Sequence, residues 1–475
     1  MTAFSESVCS LLSEFYRCPR LAANFKLAAH LWPVGGYFRM KDGPICYGRS
    51  EAEPASTANA TLPELHTQVS VGGKTIRLPF DPSEVVENLR LEKYTADSEN
   101  GRKNVGSVGR WLYYLLRPAM SVGVRKHLQR LSLRGWDRIP FPHWPVDRSV
   151  DRLHEWLLSL AMKAEGTTEV PFVWFWPDGH SSCATISHDV ETSAGRDFCD
   201  QLMDVNDYYG IKTAFQVVPE ERYEVPMAFL DSIRKRGFEV NIHDLNHDGR
   251  LFSTRKQFLE RVSKINRYGK EFDARGFRSA VLYRRLEWLN ELDFAYDMSV
   301  PNVAHLYPQR GGCCTAMPYF IGNLVEIPLT AIQDYSLFHI LCEYSMRLWE
   351  EQVTTITQAH GMASFIIHPD YVIERRARKT YEQLLSYLAD LRKNHNLWIA
   401  QPGEINDWWR ARAQMQLAQD GDTWRVEGKG SERARVAYAG VEGNEIVYRL
   451  EQSANCNMFE DVMKSPRELL PSELS

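Results

Sequence analysis

The stretch "CATISHDVETSAGRDFCDQLMDVNDYYGIKTAFQVVP", residues 183–219, holds one full period of the pattern that organises about half of this chain. Its first eight residues, "CATISHDV", form an apolar run of strand length. "RDFCDQLMDVNDYYG" (196–210) follows with helical spacing and ends in glycine, as helices often do. "TAFQVVP" (213–219) returns to a short apolar run closed by proline.

The rhythm continues to residue 402. Further strands are expected at "FEVNIH" (238–243), "GFRSA" (276–280), "FAYDMSV" (294–300), "LVEIPLT" (324–330), "ASFIIHP" (363–369) and "LWIAQP" (397–402). Helical stretches such as "MAFLDSIRKRG", "RKQFLERVSKINRYG" and "RKTYEQLLSYLADLRKN" lie between them. Seven or eight such units in about 240 residues predict an α/β fold of the TIM-like (β/α) barrel kind. No glycine-rich phosphate fingerprint follows the first strand, which argues against an open doubly wound sheet.

With 475 residues, the chain is long enough for more than one domain. Residues 1–140 read as an α+β extension, with short strands in "GGYFRMKDGPICYG" and "TQVSVGGKTIRLPF" and helices at "VGRWLYYLL" and "VRKHLQRLSL". The three prolines of "RIPFPHWPVDRS" cannot continue a helix and lead to "VDRLHEWLLSLAMKA", so the barrel segment is taken as 141–410. In 411–475, "WRVEG", "ARVAYAG" and "EIVYRL" suggest a small β appendage followed by a loose tail.

A hydrophobic content of 44%, 25% charged residues and a net charge of −5 describe a globular chain with no general attraction to nucleic acid. The basic run 117–138 reads as a solvated helix face. Nine cysteines without a CxxC pair favour a reducing compartment. With neither a signal-peptide pattern nor an 18-residue apolar run, the expected address is cytoplasmic and no membrane span is expected.

A barrel places its chemistry at the C-terminal ends of its strands. The first strand ends in "SHDVE", giving His188, Asp189 and Glu191, and the third ends at His243 with His247 in the next loop. The fourth carries Arg278, the fifth Tyr296 and Asp297, the sixth Glu326, and the seventh ends at His368 and Asp370. Two histidines, a carboxylate and a position for water make a catalytic zinc-type site. On an extended strand Asp189 and Glu191 share a face, so one can bind metal while the other acts as base. His188 points away.

Individually these residues have ordinary explanations. Asp189 or Glu191 would serve as a helix N-cap, Arg278 as a structural ion-pair partner and His368 as a strand terminus. Cys313 and Cys314 read as loop thiols, and "FVWFWPDGH" as a sugar-stacking surface or as packing. The convergence of so many reactive residues on strand ends favours a site.

In that order and spacing, "TISHDVE", "HDLNH", "FRS", "YDMS", "VEIPLT" and "IIHPD" resemble the motif series of the polysaccharide deacetylases, carbohydrate esterase family 4 with the NodB homology domain. The resemblance covers roughly residues 170–405 and implies a distorted (β/α) barrel with a divalent metal, zinc above all. It also implies removal of acetyl groups from N-acetylated sugars or other amides. By this resemblance Asp189 is the catalytic base, Glu191, His243 and His247 are metal ligands, Arg278 positions the base and His368 protonates the departing amine. Glu191 stands where the family usually has aspartate, which leaves Asp189 open as the ligand instead. Arg278 precedes "SAVL" rather than a proline-containing stretch, and no Asp and Trp fourth motif is visible.

The expected function is therefore metal-dependent removal of N-acetyl groups from a polysaccharide, an oligosaccharide or a lipid-linked sugar precursor. Two alternatives stay open: hydrolysis of a small non-sugar amide on the same fold, and a catalytically inactive barrel that binds carbohydrate or a partner. The oligomeric state is not legible.

Overall fold

The computed structural model of the protein describes residues 2–40, 43–95, 131, 133–421, 423–443 and 445–451. The helices expected at 108–116 and 124–133 and the tail fall wholly or almost wholly outside these residues, as does most of the basic run.

All eight strands expected between 183 and 402 are present in one nine-stranded sheet. Numbering only the strands of this sheet, they are β1 (Ser182–Val190), β2 (Ala214–Val217), β3 (Glu239–His243), β4 (Gly276–Arg278), β5 (Tyr296–Asp297), β6 (Tyr319–Ile321), β7 (Leu324–Glu326), β8 (Met362–Ile367) and β9 (Leu397–Ile399). Their order is β6-β7-β5-β4-β3-β2-β1-β8, with β9 also on β1. Every pairing is parallel except that of β6 with β7.

The sheet curls into a distorted barrel. Between β7 and β8 the closure is made by the chain that follows β7. Ala331 N donates to Ser364 O at 3.1 Å, and Thr330 Oγ1 donates to Met362 O at 2.7 Å. The antiparallel β6 is attached through a tight turn at Gly322, whose φ is 56°. A Cβ there would stand 2.0 Å from Asn290 Oδ1, so both the turn and the packing require glycine.

β1 is buried at all nine positions. β8 pairs with one edge over Cys183–His188, while β9 (on Ser182–Ala184) and β2 (on Ser187–Val190) divide the other edge between them. Alternation then decides the chemistry. Ala184, Ile186 and Val190 join the apolar cluster formed with helices Ser193–Tyr208 and Arg375–Asn394, including Phe198, Leu202, Tyr381 and Leu384. Ser187 and Asp189 lie on the other face, toward Arg278. Thr192, not Asp189 or Glu191, caps Ser193–Tyr208 by accepting from Gly195 N, which removes the capping explanation for both acids.

His188 lies with the helices, as alternation predicts. Its ring centroid is 4.9 Å from that of Phe215, its Nδ1–H donates to Ile367 O at 3.2 Å, and Nε2 accepts from Asn206 Nδ2 at 3.0 Å.

A second apolar cluster draws on all three segments of the chain. It joins Leu12, Phe15 and Phe25 to Leu157, Phe172, Trp176 and Met298, and these to Trp409 and Ala437. Strand Val436–Glu442 pairs antiparallel with Glu169–Val173. The side chain of Arg412 is buried and donates to the carbonyls of Phe15, Tyr16, Val173 and Trp174. Trp174, Phe175 and Trp176 are each at most 2% exposed, so "FVWFWPDGH" serves packing. Arg284 pairs with Glu92, and Tyr94 Oη donates to Gly312 O at 2.6 Å, tying the N-terminal segment to the loops after β4 and β5.

Candidate metal centre and active site

The predicted residues meet at the C-terminal ends of β1, β3, β4 and β8. Asp189 is the penultimate residue of β1, and Glu191 lies just beyond that strand. His243 ends β3. His247 is delivered by a loop in which Asp244 (φ 58°) and His247 itself (φ 54°) are left-handed, so the four-residue spacing arises from a turn and not a helix. That loop is held to β4, with Asp244 N donating to Arg278 O at 2.8 Å and Ala280 N to Asp244 Oδ2 at 3.3 Å.

One oxygen, Glu191 Oε1, occupies the centre. It stands 2.8 Å from His247 Nε2, 3.5 Å from His243 Nε2 and 3.3 Å from His368 Nε2. Asp189 Oδ2 is 3.6 Å from His243 Nε2, and its Oδ1 accepts from Arg278 Nη1 at 2.6 Å. Arg278 is also fixed, donating to Ser187 Oγ at 2.8 Å and to Met298 O at 3.0 Å. On the opposite side, His368 Nδ1–H donates to Asp334 Oδ1 at 2.7 Å, and His368 N to Asp334 Oδ2 at 2.6 Å.

Burial and charge pull these groups apart. Burial alone raises the carboxyl of Asp189, but Arg278, then His243 and His368, outweigh it and hold the group below its usual range. Glu191 is likewise raised by burial, yet His247, His368 and His243 bring it well below. His368 behaves oppositely. Burial lowers it, but Asp334 and Glu191 raise it well above an ordinary imidazole.

No family model and no curated protein matches the sequence. Solved structures similar to part of the chain include a Mycobacterium smegmatis protein assigned to the polysaccharide deacetylases, at 15% identity and TM-score 0.42 over 53% of this chain and 98% of that one. The allantoinase PuuE matches at 12% identity and TM-score 0.38 over 50% and 92%. Peptidoglycan deacetylase PdaC from Bacillus subtilis matches at 12% identity and TM-score 0.33 over 49% and 93%. The chain is similar to these structures over about half of its length.

Donor chemistry at this site fits a divalent ion. Glu191, His243 and His247 present ligand atoms within 4.8 Å of one another, as do Asp189, Glu191 and His368. His243 Nδ1–H points at Arg278 O, 3.2 Å away, which leaves the Nε2 lone pair facing the carboxylates, the arrangement a ligating histidine needs. His247 Nε2 is buried, with Glu191 Oε1 2.8 Å away but out of line for a hydrogen bond.

Arg222 works against that fit at His247. Its Nη2 lies 2.9 Å from His247 Nδ1 and 3.0 Å from His247 O. A guanidinium can only donate, so Nδ1 accepts and the ring proton sits on Nε2. Metal ligation through Nε2 requires Arg222, an exposed loop residue, to move aside.

Sequence reasoning named neither Asp334 nor Arg222. A histidine proposed to work as an imidazolium calls for a carboxylate partner, and Asp334 follows the sixth expected strand by four residues, so that requirement was a usable signal. Arg222 stands in the charged run "PEERYE", where nothing sets it apart. Tyr296, Asp297 and Glu326 lie elsewhere. Asp297 and Glu326 are buried, with Asp297 accepting from Ser299 and Glu326 from Val300 N. Cys313 and Cys314 are buried thiols that bond to nearby carbonyls.

Proposed function

We propose that this chain is a metal-dependent amide hydrolase that removes N-acetyl groups from a polysaccharide, an oligosaccharide or a lipid-linked sugar precursor. One observation carries the reading. A carboxylate held anionic by Arg278 and an imidazole held protonated by Asp334 stand in one cluster with Glu191, their ligand atoms within 4.8 Å of one another. Two titratable groups biased in opposite directions within one site are the parts of a general base and a general acid.

In this reading Glu191, His243 and His247 hold the metal, zinc by the softness and geometry of the donor set. When bound, such an ion polarises an acyl oxygen and acidifies water. Asp189 accepts the proton of the attacking water, and Arg278 keeps Asp189 oriented and ionised. His368 delivers its Nε2 proton to the departing nitrogen, while Asp334 stabilises the imidazolium and fixes its tautomer. Acetate and a free amine leave. Since Glu191 Oε1 approaches three imidazoles while one oxygen of Asp189 is taken by Arg278, the roles favour Glu191 as ligand and Asp189 as base.

A cytoplasmic address is part of the proposal. It rests on buried thiols that form no disulfide, Cys9, Cys46, Cys183, Cys199, Cys313 and Cys314, and it favours a precursor over a finished extracellular polymer. No helix among the described residues is long and apolar enough to cross a membrane.

The inactive-barrel alternative has one observation in its favour, Arg222 against His247. Elemental analysis of protein purified without chelator, together with acetate release from N-acetylglucosamine oligomers and from small amides, tests all three readings. About one metal per chain, lost in His243→Ala, with acetate released from the oligomers, is expected from a site of this ligand number. Metal-free protein that stays inert after reconstitution would remove the hydrolase reading, and turnover of small amides alone would replace the substrate.

A further inference from the structure

Beyond the atoms assigned to chemistry, the loops after β7 and β8 build a second feature beside His368. The ring of Tyr371 stacks on that of His368, with centroids 4.6 Å apart and planes 30° apart. His339 meets Tyr371 edge-on at 4.8 Å, and Tyr335 lies 5.9 Å from Tyr371 and 5.4 Å from His339. Tyr335, His339 and Tyr371 are each half-buried rather than enclosed in the core. His339 stands in a π-helical turn, Ser336–Ile340, an irregularity frequent at functional sites.

Asp370 also presents a polar atom that the fold does not use. Asp370 Oδ1 is buried without a hydrogen bond. Burial, with Glu191 and Asp370 nearby, keeps the phenol of Tyr371 well above its ordinary range, so its hydroxyl is available as a donor. A buried carboxylate oxygen left without a donor is costly unless a ligand satisfies it.

An aromatic face beside an unsatisfied carboxylate suits one class of molecule. A pyranose offers an apolar C–H face to the ring and hydroxyls to the acid. An acyclic amide offers neither in that arrangement. We infer that Asp370 and Tyr371, backed by Tyr335 and His339, form the subsite that holds the sugar ring bearing the amide nitrogen, with Tyr371 under the ring and Asp370 accepting from its hydroxyls. This rests on the amide-hydrolase reading, in which His368 faces the departing nitrogen, and it selects a cyclic sugar as substrate.

Calorimetric titration of the full chain with the N-acetylglucosamine tetramer separates the two ideas when carried out on Asp189→Asn protein, because binding is read without turnover. Addition of Tyr371→Leu or Asp370→Ala is expected to weaken binding roughly tenfold each, whereas Tyr371→Phe, which keeps the face and loses the hydroxyl, weakens it only about threefold. Thermal midpoints of all variants report folding, and Asp370→Asn supplies an isosteric second variant. Unchanged affinity in both Tyr371→Leu and Asp370→Ala overturns the subsite. So does a wild-type chain that hydrolyses small amides but does not bind the tetramer, and in that case the amide-hydrolase reading stands.

Discussion

Two buried ion pairs stand on either hand of Glu191, and they settle their protons differently. On the β1 side Asp189 is paired with Arg278, and on the β8 side His368 is paired with Asp334. Asp189, Arg278, Asp334 and His368 are all at most 4% exposed, so depth does not distinguish the pairs. The permanence of the partner does. Arginine does not give up its proton, so the first pair has a fixed cation and Asp189 is held ionised. In the second pair both members titrate, and Asp334, with Glu191 as a second nearby anion, outweighs burial and raises His368. One site thereby holds a base and an acid at the same pH.

The largest effect that tests this contrast is Asp189→Asn, expected to lower kcat about 10²–10⁴-fold with metal content at the wild-type level. Activity within tenfold of wild type would break the assignment of Asp189 as base. Removing the fixed cation instead, with Arg278→Met, leaves a buried carboxylate without its partner and is expected to cost about 3–5 kcal/mol in urea unfolding. The double variant Asp189→Asn/Arg278→Met should recover part of that loss, and a purely additive result would show that the pair is not coupled.

Replacing the titrating partner sharpens the comparison on the other side. Asp334→Asn is expected to bring His368 down toward an ordinary imidazole and to move the alkaline limb of the kcat/KM profile to lower pH by about one unit or more. The same exchange has a stability signature in metal-free protein. His368 is raised on folding, so its contribution is fully present below its unfolded value of about 6.5 and disappears as pH climbs through the raised folded value. Asp189 and Glu191 are lowered, so theirs is present above about 4 and disappears as pH falls through the depressed values. Asp334→Asn should move the alkaline decline to lower pH. An alkaline decline left in place would contradict the role of Asp334 in holding the His368 proton.

The smallest expected effect concerns Arg222. Arg222→Met removes the donor that opposes Nδ1–H on His247 and is expected to tighten zinc binding roughly tenfold in a chelator competition. Weaker binding in that variant would mean that Arg222 supports the site rather than competing for its histidine.

Much of the barrel was legible because its strands are continuous apolar runs, buried on both faces, of which β1 is the clearest. Strands that depend on a pairing partner more than on such a run were not. Tyr319–Ile321 forms on β7 with Phe320 42% exposed, Gln416–Asp420 pairs with Thr423–Glu427, and Glu169–Val173 is matched by Val436–Glu442 from the far end of the sequence. Site residues divide similarly. Asp189, Glu191, His243, His247, Arg278 and His368 were marked because reactive side chains at strand ends carry a pattern, and the structure brings all six together. Asp334 and Arg222 lie in loops, where position is set by tertiary contact and no periodicity announces it.

The pairing of β1 also bears on how the molecule opens and closes. Held along both edges by three other strands, β1 has no frayed flank through which its amide protons can reach solvent short of cooperative unfolding. Hydrogen exchange at Ser187 and Asp189 should therefore be among the slowest in the chain, while the loops bearing His247 and Arg222 exchange through local excursions. The centre thus sets an anchored strand against two loops, and capture of an ion would register as slowed exchange in those loops alone.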